Sequence, residues 1–239
     1  MENNLSLDRI MGTEIAIFQD PKTFRFSIDS VLISRFANIK SSQKILDLGS
    51  GNGVITLILS DLNKDNEITG IEINPYLVQL ANRSIEYNNQ KSTEVLCGDI
   101  RSIEEVFPHE HFDIVISNPP YFSINEGEIS KNKNFAFARH EVNGTLEDFV
   151  FATSKMLKYR GKAYFVYTSS RIVDLLYLCR ENGLEPKRLK FVHSKDDNNS
   201  NIFLIELIKG SAKGIIIEPN LIIYREDSYT DELLNFIKG

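Results

Sequence analysis

Lys44-Ile45-Leu46-Asp47-Leu48-Gly49-Ser50-Gly51-Asn52-Gly53 begins as an apolar run and ends as a glycine loop. The run suits a buried strand, and glycine at every second position afterwards lets the backbone turn tightly and approach a ligand closely. Val54–Leu62 then shows helical apolar spacing. The G-x-G-x-x-G dinucleotide fingerprint, which seats a pyrophosphate on a helix N-terminus, has a different spacing. Asp47 would also stand badly beside a pyrophosphate. An acid at that place suits a cation, such as an amino-acid ammonium or a sulfonium.

The same alternation continues outward. Glu67–Glu72 reads as a strand, followed by a helix over 75–88 with Pro75 near its first turn. Thr93–Cys97 is a strand before a short helix near Ile103. Phe112–Ser117 is a strand, followed by a long loop and a helix over 146–158. A strand over 162–167 and a helix over 171–182 complete the series. This order predicts an α/β fold with a mostly parallel sheet and helices on both faces. Leu184–His193 and residues 201–209 flank the polar turn 196–200 and read as a hairpin that adds an antiparallel strand at or near one edge. Residues 14–27 read as a small hairpin around Asp20-Pro21-Lys22, ahead of a helix over 29–36.

Polar residues stand at successive strand ends. Glu72 lies twenty-five residues after Asp47, where an acid accepts hydrogen bonds from ribose hydroxyls. In Gly98-Asp99-Ile100 an Asp after a strand can accept from an adenine amine. Asn118-Pro119-Pro120-Tyr121 closes the next strand. Its prolines have no N–H, so their carbonyls and the Asn118 oxygen can accept hydrogen bonds, and the Tyr121 ring offers a flat platform. That set suits a planar amine. Each feature alone reads equally as a turn or a helix-capping acid; together they occupy the strand ends where open α/β sheets bind ligands.

With these motifs in this order the chain resembles the class I S-adenosylmethionine-dependent methyltransferases. The Asn-Pro-Pro-Tyr step narrows the likeness to amino-methylating members. Phe24-Arg25-Phe26-Ser27-Ile28-Asp29-Ser30, Ala138-Arg139-His140-Glu141 and Pro186-Lys187-Arg188 are similar to the leader, post-motif signature and C-terminal strand of the tRNA1(Val) (adenine(37)-N6)-methyltransferase branch. The resemblance implies a Rossmann-like fold with a seven-stranded sheet, and an N-terminal hairpin and helix (1–40) packed on a methyltransferase domain (41–239). It implies S-adenosylmethionine held by Asp29, Asp47, Gly49, Gly51, Asn52, Gly53, Glu72, Ile73, Asp99, Ile100 and Asn118. Catalysis would fall to Asn118, Pro119 and Tyr121, acting on an adenine in a tRNA anticodon stem-loop. A protein glutamine, rRNA or DNA adenine substrate, or a non-catalytic RNA-binding role, are the alternatives.

The net charge of −6 departs from a basic RNA-binding composition, but its distribution is uneven. Residues 41–130 hold five bases against fourteen acids, whereas residues 155–195 hold ten bases against three acids, a local +7. Such asymmetry is either a solvated face or a phosphate-binding surface. RNA contacts are therefore expected from Lys187, Arg188 and Lys190. Further ones are expected from the loop after Pro120 and Tyr121, through Phe122, Lys131, Lys133 and Arg139, where Phe135 and Phe137 interleave with the bases. Two distant cysteines, no Cys/His set with zinc spacing, no apolar stretch near the roughly 18 residues of a membrane span and no signal-peptide pattern predict a reduced cytoplasmic protein. No metal and no obligate protein partner are expected.

Overall fold

The computed structural model describes residues 5–23, 26–121 and 144–238. Phe24, Arg25, Phe122, Lys131, Lys133, Phe135, Phe137 and Arg139 lie outside them, as does the expected post-motif signature. Strands β1 (Ser6–Arg9) and β2 (Ala16–Gln19) pair antiparallel ahead of α1 (Ile28–Phe36). Then follow β3 (Lys44–Leu48), α2 (Val54–Leu62), β4 (Glu67–Glu72), α3 (Pro75–Tyr87), β5 (Thr93–Cys97), a 3-10 turn (Ile100–Glu105) and β6 (Phe112–Ser117). The second half comprises α4 (Leu146–Met156), β7 (Leu157–Thr168), α5 (Ile172–Glu181), β8 (Leu184–His193) and β9 (Ser200–Lys209). Short strands β10 (Ile216–Ile217), β11 (Leu221–Ile222), β12 (Tyr224–Arg225) and β13 (Ser228–Tyr229) precede α6 (Asp231–Lys238).

One sheet carries nine of these strands in the order β10-β8-β9-β7-β6-β3-β4-β5, with β11 also on β8. Strands β3 to β7 run parallel, and β9 runs antiparallel to both β7 and β8. The expected antiparallel strand is thus β9, near one edge and one place in from β8. The sheet also exceeds seven strands, because β10 and β11 extend its edge. Two-residue strands carry no periodicity for a sequence to display. From β3 the chain builds outward through β4 and β5, then returns to β3's other side as β6. The order reverses between β3 and β6, which opens a crevice at their carboxyl ends.

Alternation along the strands loads both faces. Ile45, Ile114, Ile116, Tyr164 and Val166 join one core, under α1, α2 and α6. Leu46, Val115, Ala163, Phe165 and Tyr167 join the other, under α4 and α5. Asn74 caps α3: its side chain accepts from Tyr76 N, and Pro75 follows in the first turn. Thr145 and Asp148 form a capping box on α4.

The N-terminal hairpin departs from expectation. Its turn lies between β1 and β2, where Gly12 takes φ 76°, and not at Asp20-Pro21-Lys22. Asp20 instead folds the chain back on itself, accepting Lys22 N at its side chain and Thr23 N and Oγ1 at its carbonyl. Helix α4 also stops at Met156, short of 158, because β7 begins at once against β6.

The basic span is largely neutralised from outside itself. Lys155 pairs with Glu104, Lys158 with Asp113, and Lys162 with Glu206. Arg188 reaches Glu206 at 3.0 Å and Glu218 at 2.6 Å, and lies 4.4 Å from the Phe36 ring centroid. Lys190 is buried and donates to the Pro219 carbonyl, while Lys187 donates to that of Ala212. Register puts Arg188 level with Glu206 and Tyr164, and Tyr164 level with Ile116 of β6. Lys187, Arg188 and Lys190, expected to contact phosphate, face acids and carbonyls of their own chain. Glu206 is only 3% exposed, so Arg188→Met should cost about 2–3 kcal/mol, less than the breaking of an isolated buried pair because Lys162 and Tyr164 still serve Glu206. The checking measurement is thermal melting, with a fall of roughly 4–12 °C for a chain of this size.

Candidate active site

The crevice is a cleft of about 440 Å³ walled by the carboxyl ends of β3, β4 and β6, the turn after β5, and the first turn of α1. Its floor is the glycine loop. Gly49 N and Ser50 N both donate to the Ile71 carbonyl, which pulls the loop over β4. Gly49 takes φ 72°, and a Cβ there would meet the Phe149 ring at 3.0 Å. Gly51 takes φ 57°. Gly51 N donates to Glu72 Oε2 at 2.9 Å, and Asn74 N donates to Glu72 Oε1 at the same distance. Glu72 is thereby locked with both oxygens at the cleft wall, and burial raises its pKa. A carboxylate has about four lone-pair sites, so it keeps capacity for hydroxyl donors.

Asp47 stands beneath this loop. Its Oδ2 accepts from Thr56 N at 3.2 Å and from Thr56 Oγ1 at 2.7 Å, and its Oδ1 is buried without a partner among the described residues. Gly53 precedes α2 at φ 85° and has no side chain to cap it; Asp47 meets a first-turn N–H from below instead. Burial, assisted by Glu72, pushes the Asp47 carboxyl up to about 7 against the pull of Thr56. Asp47 therefore supports the loop rather than lining the cleft, contrary to expectation.

Gly53 and Asp99 depart in the same way. A Cβ on Gly53 would meet Ala81 at 3.0 Å, so this glycine serves packing on α3. The Asp99 carboxylate is taken by Arg101, whose side chain and backbone N both donate to it and hold its pKa low. Its neighbours Gly98 and Ile100 line the cleft where Asp99 does not. Asp29, Gly49, Gly51, Asn52, Glu72, Ile73 and the Asn118–Pro119–Pro120–Tyr121 step all line it. Phe26, Leu77 and Phe149 add apolar walls that were not expected as site residues. Leu77 and Phe149 lie within helical patterns, and periodicity cannot tell a cleft wall from core.

The Asn118 step is tied to α1. Asn118 Nδ2 donates to Ser30 Oγ at 3.2 Å. The Tyr121 hydroxyl stands 2.8 Å from Asp29 Oδ2 and 2.9 Å from Asn118 Oδ1. One hydroxyl proton thus stands between two competing acceptors. The Tyr121 ring meets Tyr167 edge-on, with centroids 5.6 Å apart, and packs against both cores. Burial raises the pKa of Asp29 and, more strongly, that of Tyr121. Acceptors at Asn118 and the proline carbonyls, beside a half-buried acid and a cleft for a larger molecule, suit binding a flat amine next to a second ligand.

A family model described as the methyltransferase small domain matches residues 27–171. A protein of Aliivibrio salmonicida called tRNA1(Val) (adenine(37)-N6)-methyltransferase is 24% identical over 212 residues, spanning 89% of this chain and 88% of its own. A protein of the same name from Haemophilus influenzae is 24% identical over 97% of both chains. Among solved structures, a predicted O-methyltransferase of Agrobacterium tumefaciens superposes with a TM-score of 0.71 at 21% identity, over 88% of this chain and 97% of its own. Among the described residues no helix is long and apolar enough to cross a membrane.

The raised Asp47 pKa has a stability sign. The unfolded chain releases this proton near the ordinary value of 3.8 and the folded chain near 7, so stability falls as pH rises between them and levels off above. Asp47→Asn keeps an oxygen for Thr56 and removes the buried charge. Ligand-free wild type should lose stability from pH 5 to pH 8 relative to Asp47→Asn, as read by urea unfolding. Parallel pH curves for the two proteins would contradict the assignment.

Proposed function

The chain belongs to the methyltransferase small domain family, and from that premise we propose that it transfers the methyl group of S-adenosylmethionine to N6 of an adenine in RNA, with adenine 37 of a tRNA anticodon loop as the target. The observation that carries this reading is the placement of Asn118-Pro119-Pro120-Tyr121 in one cleft with the glycine loop and Glu72. The names of the relatives support the RNA substrate.

The residues present fit the cofactor. Glu72 offers its remaining lone pairs to ribose hydroxyls, and Ile73, Leu77 and Ile100 offer apolar surface to a purine. Gly51 keeps open space on its Cβ side, with no described atom within 4 Å, so a ligand can approach the backbone there. The Glu72 carboxyl at the cleft wall favours a hydrogen-bond donor or a cationic group over an anion. When bound, S-adenosylmethionine supplies an electrophilic methyl group on a sulfonium.

The protein's contribution is orientation and fixed dipoles. An adenine amine is a poor nucleophile because its lone pair is delocalised into the ring. Hydrogen bonds from its two N–H groups to Asn118 Oδ1 and the Pro119 carbonyl hold the amine and favour a more tetrahedral nitrogen. Pro120, without an N–H, presents no competing donor. The Tyr121 ring supplies a stacking face, worth about 1–3 kcal/mol per base. An anticodon-loop adenine suits this site because an unpaired base costs less to extrude than a paired one.

Two measurements test the reading. Asn118→Ala should lower turnover on tRNA by about 10²–10³, the scale of one lost preorganised polar group, while S-adenosylhomocysteine affinity by calorimetry stays within a few-fold. Glu72→Ala should do the reverse, weakening that affinity by about 1–3 kcal/mol. Transfer of tritiated methyl into protein or DNA but not tRNA would redirect the substrate assignment, and nucleoside mass spectrometry of tRNA from a strain lacking the protein shows whether N6-methyladenosine is the nucleoside lost.

A further inference from the structure

Asn118 Oδ1 is the acceptor that the adenine amine needs, yet the Tyr121 hydroxyl stands 2.9 Å from it. The same hydroxyl stands 2.8 Å from Asp29 Oδ2. A single proton can point to only one of these oxygens at a time. If it points to Asn118, it occupies one of the two lone pairs of Oδ1 and competes there with the amine. If it points to Asp29, Oδ1 is left to the substrate. A carboxylate is a stronger acceptor than a neutral amide oxygen. The other end of the amide does not decide the matter, because Nδ2 is already held by Ser30, one residue from Asp29 on α1. Asp29 itself is half-buried, and its ordinary role by resemblance would be to touch the cofactor.

We propose that Asp29 is a positioning residue for the amine acceptor: by drawing the Tyr121 hydroxyl proton onto its carboxylate it keeps Asn118 Oδ1 open for the substrate N–H. This rests on the amine-methylation reading above. The first turn of α1 then governs the chemistry from outside the Asn-Pro-Pro-Tyr step, Ser30 accepting from Asn118 Nδ2 and Asp29 keeping the amide oxygen free. Tyr121 has two separable jobs, its ring for stacking and its hydroxyl as the link between Asp29 and Asn118.

The test is a double-mutant cycle on Asp29→Asn and Tyr121→Phe. Asparagine keeps the size of the side chain and removes its charge, so the hydroxyl proton returns to Asn118. Asp29→Asn should lower kcat on tRNA tenfold or more, with KM for tRNA and the S-adenosylhomocysteine Kd within threefold of wild type. In the Tyr121→Phe background the same substitution should change kcat less than threefold, because no hydroxyl remains to redirect. Tyr121→Phe alone should keep at least a fifth of wild-type kcat. If Asp29→Asn instead weakens S-adenosylhomocysteine tenfold, or lowers kcat equally in both backgrounds, Asp29 serves the cofactor or the packing and the proposal fails. Should Asp29→Asn not fold, a Tyr121→Phe loss above tenfold overturns it alone.

A second readout does not depend on turnover. The Asn118 side-chain amide resonances should move on Asp29→Asn in the wild-type background and stay put in the Tyr121→Phe background; equal movement in both overturns the link. A protein with this coupling intact that methylates no amine, in nucleic acid or in protein, would refute the amine-methylation reading, and with it the role given to Asp29.

Discussion

Asp47 is a carboxyl group sealed from water, and its bonds to Thr56 N and Oγ1 fix where α2 begins relative to the end of β3. The glycine loop is what spans the gap. With its helix end held from below, that loop closes over β4 through the Ile71 carbonyl and delivers Gly51 N to Glu72. Glu72 is therefore aimed by the loop, and the loop by Asp47. A buried charge of this kind is costly without pairing, and its Oδ1 has no partner among the described residues. The site accepts that cost where an open α/β sheet places its ligands, at the point where the strand order reverses.

On the opposite wall the controlling element is α1, which precedes the sheet in the chain. Ser30 and Asp29 meet Asn118 and Tyr121 across roughly ninety positions of sequence, 88 and 92 by count. Helix α1 thus brings N-terminal side chains to the carboxyl end of β6. The Asn-Pro-Pro-Tyr step is short of donors of its own, so its geometry is set by what packs against it: Tyr167 on the ring and α1 on the polar groups. A mutation in the first turn of α1 would therefore be felt in chemistry as well as in packing.

The basic span shows how far linear charge can mislead. Ten bases against three acids is an asymmetry of the sequence. In three dimensions, Glu104, Asp113, Glu206 and Glu218 reach those bases from elements distant in the chain. Glu206 comes from β9, the strand inserted between β7 and β8, and so lies between Lys162 and Arg188. A strand at the very edge of the sheet would have left one of those neighbours unserved.

The strand–helix alternation, the parallel sheet and the positions of Glu72 and Asn118 were readable from residues 44–117 and the step that follows, because periodicity and glycine placement are local signals. So was the gathering of site residues at strand ends, since parallel β-α units put every strand's carboxyl end on one side. The fate of each acid was not readable. Asp47, Glu72 and Asp99 look alike in a sequence. Only packing decides that Thr56 covers the first, that the cleft receives the second, and that Arg101 captures the third. The turn of the N-terminal hairpin, the interior place of β9, the Phe149 wall and the Asp29–Tyr121–Asn118 link were likewise decided by tertiary structure. Each rests on contacts between segments distant in the chain, and a side chain's partner across such a distance is fixed by how the layers pack, which no local pattern encodes.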